Sequence, residues 1–307
     1  MSVLKEPILK LSQSARMKNF VTHNKIGRRA ARRFVAGETL PDAITATREL
    51  NKQNIRVSLD HLGENVYSEA EANHTTEHYL ELLDLIASEK VDANVSVKLT
   101  AMGLDVGRRL SLDNISRVLE RGQDKGNIFV RLDMEGTAYT QRTIDIFREL
   151  WDKGFRNVGT VLQSYLYRTA DDVQLMLELG ARVRLCKGAY FEPPDVAFSD
   201  KADTDRNYIK CMEMLLDKGN YPGLATHDEK IIQHALEYVK TNKIGPERFE
   251  FQMLYGVRRD LQRKLVNEGY NVRAYVPYGS EWYPYLMRRM AERPANLLFM
   301  VSNYWKG

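Results

Sequence analysis

The sequence predicts an α/β protein whose main domain is one (β/α)8 barrel preceded by extra N-terminal helices. Eight short apolar or β-branched runs alternate with segments that carry helical patterns, which is the arrangement that a single barrel of roughly 250 residues requires. No stretch rich in Pro, Gly or Ser divides the chain. An open, doubly wound sheet is the alternative, but no GxGxxG follows the first run to support it.

The eight predicted strands define the barrel. They are Ile55–Leu59, Val95–Leu99, Ile128–Leu132, Val158–Leu162, Val183–Cys186, Leu224–Thr226, Phe249–Met253 and Val272–Val276. The helical patterns between them are Glu69–Glu89, Leu112–Asp124, Ala138–Lys153, Asp171–Leu179, Asp203–Lys218, Lys230–Lys240 and Arg258–Asn267. Two helical stretches, near residues 12–35 and 40–52, precede the first strand. We therefore expect a helical arm over residues 1–52 and a catalytic barrel over residues 53–307.

Composition excludes several classes of protein. The chain has 307 residues, 43% hydrophobic and 28% charged, which suits a large globular domain. No apolar run approaches the roughly 20 residues that span a bilayer, and the N-terminus lacks a signal-peptide pattern, so we expect a cytoplasmic protein. Cys186 and Cys211 lie far apart and outside any CxxC, which argues against a disulfide framework or a thiolate zinc site.

Basic residues crowd one N-terminal segment although the net charge is only +4. They are Arg16, Lys18, Lys25, Arg28, Arg29, Arg32 and Arg33. With Phe20, Ile26 and Phe34 interleaved, the segment suits an amphipathic helix on an anionic membrane surface. The alternative is an ordinary helix packed on its own domain. No nucleic-acid reader motif accompanies the charge, so we expect no nucleic-acid partner.

Polar residues end every predicted strand. In a barrel of parallel strands these ends meet at one rim, where active sites form. The residues are Asp60, Glu64, Lys98, Asp133, Glu135, Gln163, Arg184, Lys187, Thr226, His227, Asp228, Gln252 and Tyr275. So many polar side chains on one rim are difficult to bury without a ligand, and the sequence therefore predicts a binding site there.

The segment after the last predicted strand adds a second polar face. Residues Tyr285, Arg288, Arg289 and Glu292 follow the helical spacing i, i+3, i+4 and i+7. Pro284 fits the first turn of such a helix. Two adjacent arginines can hold a small carboxylate as a fork, whereas the competing interpretation is a solvated basic face with a local Arg–Glu pair.

Three further motifs suggest other chemistry. His74 and His78 match HxxEH, but they have no obvious third ligand, and we expect no metal. Lys98 would suit a Schiff base if burial freed its amine, although a charged partnership with Asp133 is the stronger interpretation. Gly188 offers close backbone approach to a phosphate or a flat ring.

Together, the strand ends and the final helix resemble the proline dehydrogenase family of flavin-dependent enzymes. The matching pieces are Val95-Ser-Val-Lys-Leu99, Phe129-Val-Arg-Leu-Asp-Met134, Leu162-Gln-Ser-Tyr165, Arg184-Leu-Cys-Lys-Gly-Ala-Tyr190, Ala225-Thr-His227, Gln252-Met-Leu-Tyr-Gly256 and the Tyr285 to Glu292 face. They occur in order from residue 55 onward.

The resemblance implies a distorted (β/α)8 TIM-like barrel with non-covalent FAD at its carboxyl rim. Arg184 would lie near the reactive flavin nitrogen, and Asp133 would organise the polar network. The other implied cofactor contacts are Met134, Gln163, Lys187, Gly188, Ala189, Thr226 and His227. The implied contacts to the substrate are Lys98, Arg288 and Arg289 for the carboxylate, with Tyr275 and Tyr285 walling the ring.

The resemblance also implies partners. L-proline would be oxidised to 1-pyrroline-5-carboxylate, electrons would pass to a membrane quinone, and a separate dehydrogenase would take the product. This gives the basic N-terminal segment a reason to contact the inner face of the cell membrane. A separate hypothesis rests on opposite charges at the two closing ends of the barrel: Glu64 would pair with Arg288 as part of a gate, with Glu292 as a competing partner. Two alternatives remain: a Schiff-base lyase or aldolase using Lys98 or Lys187, and a barrel that binds an amino acid without turnover.

Overall fold

A closed barrel of eight parallel strands forms the centre of the computed structural model, which describes residues 31–63 and 66–292, with side chains up to residue 289. The strands pair in sequence order, and the last pairs with the first. They are β1 (Ile55–His61), β2 (Ala93–Val97), β3 (Val130–Leu132), β4 (Val158–Gln163), β5 (Arg182–Cys186), β6 (Gly223–Ala225), β7 (Glu250–Leu254) and β8 (Val272–Tyr278). The predicted (β/α)8 barrel is confirmed, with each strand within two residues of its predicted start.

Helices follow the strands as predicted. Within the described residues they are α1 (Leu40–Asn51), α2 (Glu69–Ser88), α3 (Arg108–Asp124), α4 (Thr137–Asp152), α5 (Thr169–Leu179), α6 (Lys201–Lys218), α7 (Glu229–Thr241), α8 (Arg259–Asn267) and α9 (Trp282–Glu292), with one 3₁₀ turn at Pro246–Arg248. Local signals fix several of their ends. Thr39 and Asp42 form a capping box at α1, and Gly180 ends α5 in the left-handed conformation.

The two faces of the strands differ in chemistry. Outward side chains such as Val57 and Leu59 are completely buried in one apolar core beneath the helices. Inward side chains are largely polar, since Arg184 on β5 contacts Ser58 on β1 and Ser96 on β2, contacts that cross the lumen. The barrel therefore has an apolar shell and a charged interior.

The described part of the N-terminal segment packs on the last helix. Phe34 and Val35 belong to a small apolar cluster with Trp282, Leu286 and other residues of α9. Backbone hydrogen bonds from Ala36 to Pro277 and from Gly279 to Gly37 tie the segment to the end of β8. These residues pack on their own domain as turns and bends, and the predicted helix itself lies mainly in residues outside the described range.

Some predictions fall on residues that the structure does not describe. These are the helix before residue 31, the membrane-facing basic residues from Arg16 to Arg29, the gate residue Glu64, and the side chain of Glu292. Across the described residues, no helix is both long and apolar enough to cross a bilayer.

Candidate active site

Arg184 occupies the centre of the barrel's carboxyl half. Its guanidinium is 5% exposed and donates to Gln252 on β7 and to Asp133 after β3, the latter at 2.7 Å. It also donates to the hydroxyl oxygens of Ser58 and Ser96, each at 3.2 Å. Four other strands or strand ends therefore hold one cation in a fixed orientation.

Asp133 connects this cation to a phenol. One carboxylate oxygen accepts from Arg184, and the other accepts from the Tyr275 hydroxyl at 2.7 Å. The Arg184 guanidinium also lies 5.1 Å from the centre of the Tyr275 ring. Burial, followed by the nearby Asp133 carboxylate, raises the pKa of Tyr275 well above its usual value, so the phenol stays protonated as a donor. The predicted organising role of Asp133 is consistent with these contacts.

A second buried ion pair lies at the ends of β1 and β2. The Lys98 ammonium donates to both carboxylate oxygens of Asp60, at 3.0 and 3.2 Å, and the two residues are 9% and 1% exposed. Asp60 is thus an ion-pair partner of Lys98 that the sequence did not suggest, and the expected pairing of Lys98 with Asp133 stays a prediction. Burial raises the pKa of Asp60 while Lys98 opposes that rise.

The sequence placed Asp60 at a strand end but did not indicate that it pairs with Lys98. The spacing offers the missing signal: Asp60 pairs in register with Ser96, two residues before Lys98, so both side chains face the lumen on neighbouring strands. The pair lies beside the Arg184 network, because Ser96, which pairs in register with Asp60, also accepts from Arg184.

Gln163 and Glu135 connect the ends of β4 and β3. The Gln163 side-chain amide donates to the Glu135 carbonyl oxygen at 2.9 Å, and it is 3% exposed. The Glu135 carboxylate accepts from the backbone and the hydroxyl of Thr100. Met134 lies between Asp133 and Glu135 in sequence and is buried. These residues form the wall of the rim on which the resemblance placed a flavin.

Lys187 follows β5 and contacts two acids. Its ammonium lies 2.8 Å from Asp228 and 2.5 Å from Asp205, and all three side chains are about three-quarters buried. Burial opposes the ionisation of Asp228, but Lys187 and Lys201 outweigh it and lower the pKa of Asp228 to about 2. The Lys187 ammonium is therefore held in place by the carboxylates of Asp205 and Asp228.

Gly188 has a conformation that few other residues tolerate. Its φ is +110°, and a Cβ atom would lie 2.4 Å from the ring of Tyr165. The flat ring that the glycine approaches is thus the protein's own tyrosine. Ala189, the next residue, is exposed.

Thr226 and His227 line the rim after β6. The Thr226 hydroxyl accepts from the backbone of Asp228, and Nε2 of His227 accepts from the backbone of Leu254 at 2.9 Å. Acceptance at Nε2 requires that nitrogen to be unprotonated, so a neutral His227 carries its proton on Nδ1. This hydrogen bond fixes the orientation of the His227 ring.

The side chains of the final helix differ in burial from the predicted solvated face. Tyr285 is 6% exposed and belongs to the apolar cluster with Trp282 and Leu286, so this position is part of a core stripe. Arg288 and Arg289 are half-buried, and the Arg289 guanidinium lies 5.3 Å from the centre of the Tyr285 ring. Tyr285 and Arg289 therefore share one helix face, as predicted, but Tyr285 is buried in the apolar cluster and is not solvated.

Two histidines near the rim lie in contact, which the sequence did not predict. The rings of His61 and His78 lie 3.9 Å apart, and His78 is hydrogen-bonded through Nε2 to the Tyr278 hydroxyl at 3.0 Å. Within residues 31–63 and 66–292, no group of three His, Cys, Asp or Glu side chains is placed to hold a metal. His78 of the HxxEH motif is thus part of an aromatic cluster.

Comparison with known proteins gives one consistent result. Residues 43–302 match the family model described as proline dehydrogenase. Proline dehydrogenase 2 of Bacillus subtilis is 41% identical over 94% of both chains, and the proline dehydrogenase of Deinococcus radiodurans is 43% identical over 90% of both. A solved structure of proline utilization A from Bdellovibrio bacteriovorus, inactivated by N-propargylglycine, superposes with a TM-score of 0.81 at 29% identity, over 87% of this chain and 33% of that one.

Proposed function

This chain belongs to the proline dehydrogenase family, an enzyme family of proline catabolism, and we propose that it oxidises L-proline with a non-covalent FAD at the carboxyl rim of its barrel. The observation that carries the proposal is the buried Arg184, fixed between Asp133 and Gln252 where the strand ends converge. The reaction removes a hydride from the ring methylene next to nitrogen and a proton from nitrogen. The product is 1-pyrroline-5-carboxylate.

The donor set on the rim fits a flavin dinucleotide. Such a group needs a cation near its electron-rich ring, an amide for its polar edge and a second cation for its diphosphate. Arg184 on β5, Gln163 at the end of β4 and Lys187 just after β5 would supply these three functions. Met134 adds an apolar contact, and Thr226 and His227 would hold the remainder, with Gly188 and Ala189 allowing close backbone approach. When bound, the flavin would supply the hydride acceptor.

The substrate carboxylate requires cations that face the same rim. Lys98 would take it together with Arg288 and Arg289, and Asp60 would hold the lysine in position. Two or three positive charges around one carboxylate fix the orientation of the proline ring and so place its reacting carbon. Tyr275 and Tyr285 would wall the ring. Glu64 and Glu292 would act as gate residues that pair with the arginines.

Arg184 would also act on the reaction itself. Its charge is held by four side chains before substrate arrives, so it can stabilise negative charge that develops beside it without reorganising. Asp133 positions this cation, and its two oxygens are already occupied by Arg184 and Tyr275. We therefore assign Asp133 a positioning role and not that of the base for the proline ammonium.

The electron acceptor and the fate of the product complete the proposal. We propose that a membrane quinone reoxidises the enzyme, that the protein is cytoplasmic and contacts the inner face of the membrane, and that a separate dehydrogenase oxidises the product. The basic N-terminal segment would contribute the membrane contact. Equal binding to anionic vesicles by the full chain and a chain without residues 1–30 would contradict that role.

The lyase alternative is less well supported. A Schiff-base lysine needs surroundings that release its amine, whereas Lys98 and Lys187 each lie within hydrogen-bond distance of a carboxylate. A keto-acid substrate trapped by borohydride on either lysine would restore this alternative.

The test is an anaerobic absorbance experiment on the purified protein. We expect a visible flavin spectrum that L-proline bleaches and D-proline does not. Trichloroacetic acid should release the flavin, because the proposed binding is non-covalent. A protein that stays colourless after incubation with FAD would refute the cofactor assignment, and a flavin that L-proline fails to bleach would refute the substrate assignment.

A further inference from the structure

A row of buried polar side chains links the beginning of β8 to the candidate active site through the barrel lumen. Arg273 donates from Nε to the Glu250 carboxylate at 2.7 Å, and the Gln252 amide donates to the same oxygen at 2.6 Å. The amide oxygen of Gln252 in turn accepts from Nε of Arg184. All four side chains are buried, and Glu250 is only 2% exposed. We call these four residues the lumen network.

The chemistry of its two neighbours fixes the direction in which the Gln252 amide points. Burial opposes the ionisation of Glu250, but the surrounding groups, Arg273 first, outweigh burial and lower the pKa of Glu250 to about 2. An ionised carboxylate only accepts hydrogen bonds, and a guanidinium only donates them. The NH2 group of Gln252 must therefore face Glu250, which leaves the amide oxygen facing Arg184.

A glycine on the intervening strand makes room for this amide. Gly223 on β6 pairs in register with Arg184 on β5 and with Glu250 on β7, so the three positions face the lumen side by side. A Cβ atom at Gly223 would lie 2.3 Å from Nε2 and 2.7 Å from Cδ of Gln252. The Gln252 amide thus fills the space that a side chain on β6 would take, and it reaches Arg184 across that strand.

We propose that Glu250 is a positioning residue for the oxidation of proline, because it holds the Gln252 amide that fixes the Arg184 guanidinium. The inference rests on the proposed function, in which Arg184 stabilises negative charge that develops beside it. A charged group does so best when its orientation is set before the reaction begins. The acidic and hydroxyl partners of Arg184 contact Nη1 and Nη2, whereas Gln252 contacts Nε, so the network restrains the guanidinium from a further side.

Two substitutions disturb the lumen network in different ways. Glu250→Gln keeps the volume of the side chain but removes the charge that orients the Gln252 amide. Gly223→Ala changes no charge, but its methyl group displaces the same amide. Asp172→Asn is the matched control, because Asp172 is also a buried carboxylate paired with an arginine, Arg168, but lies on α5 outside the lumen.

The first measurement needs neither substrate nor turnover. In the full-length protein labelled with ¹⁵N at arginine Nε, the Arg184 signal is assigned from its loss in Arg184→Lys. We expect its Nε–H to exchange with solvent about tenfold faster in Glu250→Gln and in Gly223→Ala, since each weakens a hydrogen bond to a charged group. Exchange in Asp172→Asn should equal that of the wild type.

The second measurement is anaerobic mixing with L-proline, followed by absorbance. The limiting rate of flavin bleaching should fall about tenfold in Glu250→Gln and Gly223→Ala, because Arg184 is no longer held in one orientation. The dissociation constant of L-proline should not change, since other cations bind its carboxylate. The reduction potential of the bound flavin should fall in both variants and stay constant in Asp172→Asn, a difference that a general loss of stability would not produce.

The outcomes separate this proposal from the proposed function. Wild-type exchange and bleaching rates in Glu250→Gln and Gly223→Ala would overturn the role of Glu250, and so would equal losses in Asp172→Asn. If Glu250→Gln does not fold, Gly223→Ala decides alone. A wild-type protein that L-proline does not bleach would overturn the proposed function and this inference with it.

Discussion

Acidification should destabilise the protein through His61, which lies at the end of β1 beside the candidate active site. Burial is the largest cause that lowers the pKa of His61, from 6.5 to about 3, and the neighbouring His78, Lys98 and His74 add to it. Part of the burial comes from the stacked His78 ring, 3.9 Å away. The folded protein therefore keeps this imidazole neutral at pH values where the unfolded chain binds a proton.

The sign and size of the effect follow from proton linkage. Below pH 6.5 the unfolded chain binds more protons than the folded one, so the free energy of unfolding falls as the pH falls, until the pH reaches about 3. At pH 5 the difference amounts to about 2 kcal/mol for a fully buried ring, and to about 1–2 kcal/mol after allowing for partial exposure of His61. His78, whose pKa burial also lowers, adds in the same direction.

Urea unfolding at pH 7.5, 6 and 5 measures this loss, and His61→Asn isolates the contribution of one ring. Asparagine keeps a polar atom near the position of Nδ1 but does not titrate, so the variant should lose about 1–2 kcal/mol less than the wild type between pH 7.5 and 5. His234→Asn is the control, because His234 lies on α7 and pairs with Glu213 far from this cluster. Equal losses in the wild type and His61→Asn would refute the reasoning.

Three further substitutions test the candidate active site. Asp60→Asn leaves the buried Lys98 without a carboxylate partner and should lower the free energy of unfolding by about 3 kcal/mol. In a double-mutant cycle with Lys98→Met, the two losses measured by urea unfolding should not add. Additive losses would contradict a direct pair. Tyr275→Phe removes a hydrogen bond to the charged Asp133 and should lower the free energy of unfolding, measured in urea, by about 1.5–3 kcal/mol. It should also raise the KM for L-proline. An unchanged KM would show that Tyr275 does not contact the substrate. Gly188→Ala places a methyl group against the Tyr165 ring at a positive φ and should lower the free energy of unfolding by about 2–4 kcal/mol. The variant should also retain less FAD on gel filtration. Stability and FAD retention equal to those of the wild type would show that the loop adjusts to the methyl group.

The secondary structure was predictable because its signals are local. Strands buried on both faces of a sheet appear as short apolar runs, and helices in a barrel show the 3.6-residue period, so each element was found near its observed position. The partner of Lys98 was not predictable from such runs. Asp60 lies near the end of β1 and Asp133 just after β3, the two strands next to β2. Which of them Lys98 reaches depends on the stagger of the barrel strands.

The final helix shows a second limit of sequence patterns. The spacing of Tyr285, Arg288 and Arg289 correctly indicated a helix, but a helical face is polar or apolar only relative to what packs on it. Here Phe34 and Val35, about 250 residues earlier in the chain, belong to the same apolar cluster as Tyr285 and other residues of the helix. Long-range packing of this kind leaves no periodic signal in the segment that it buries.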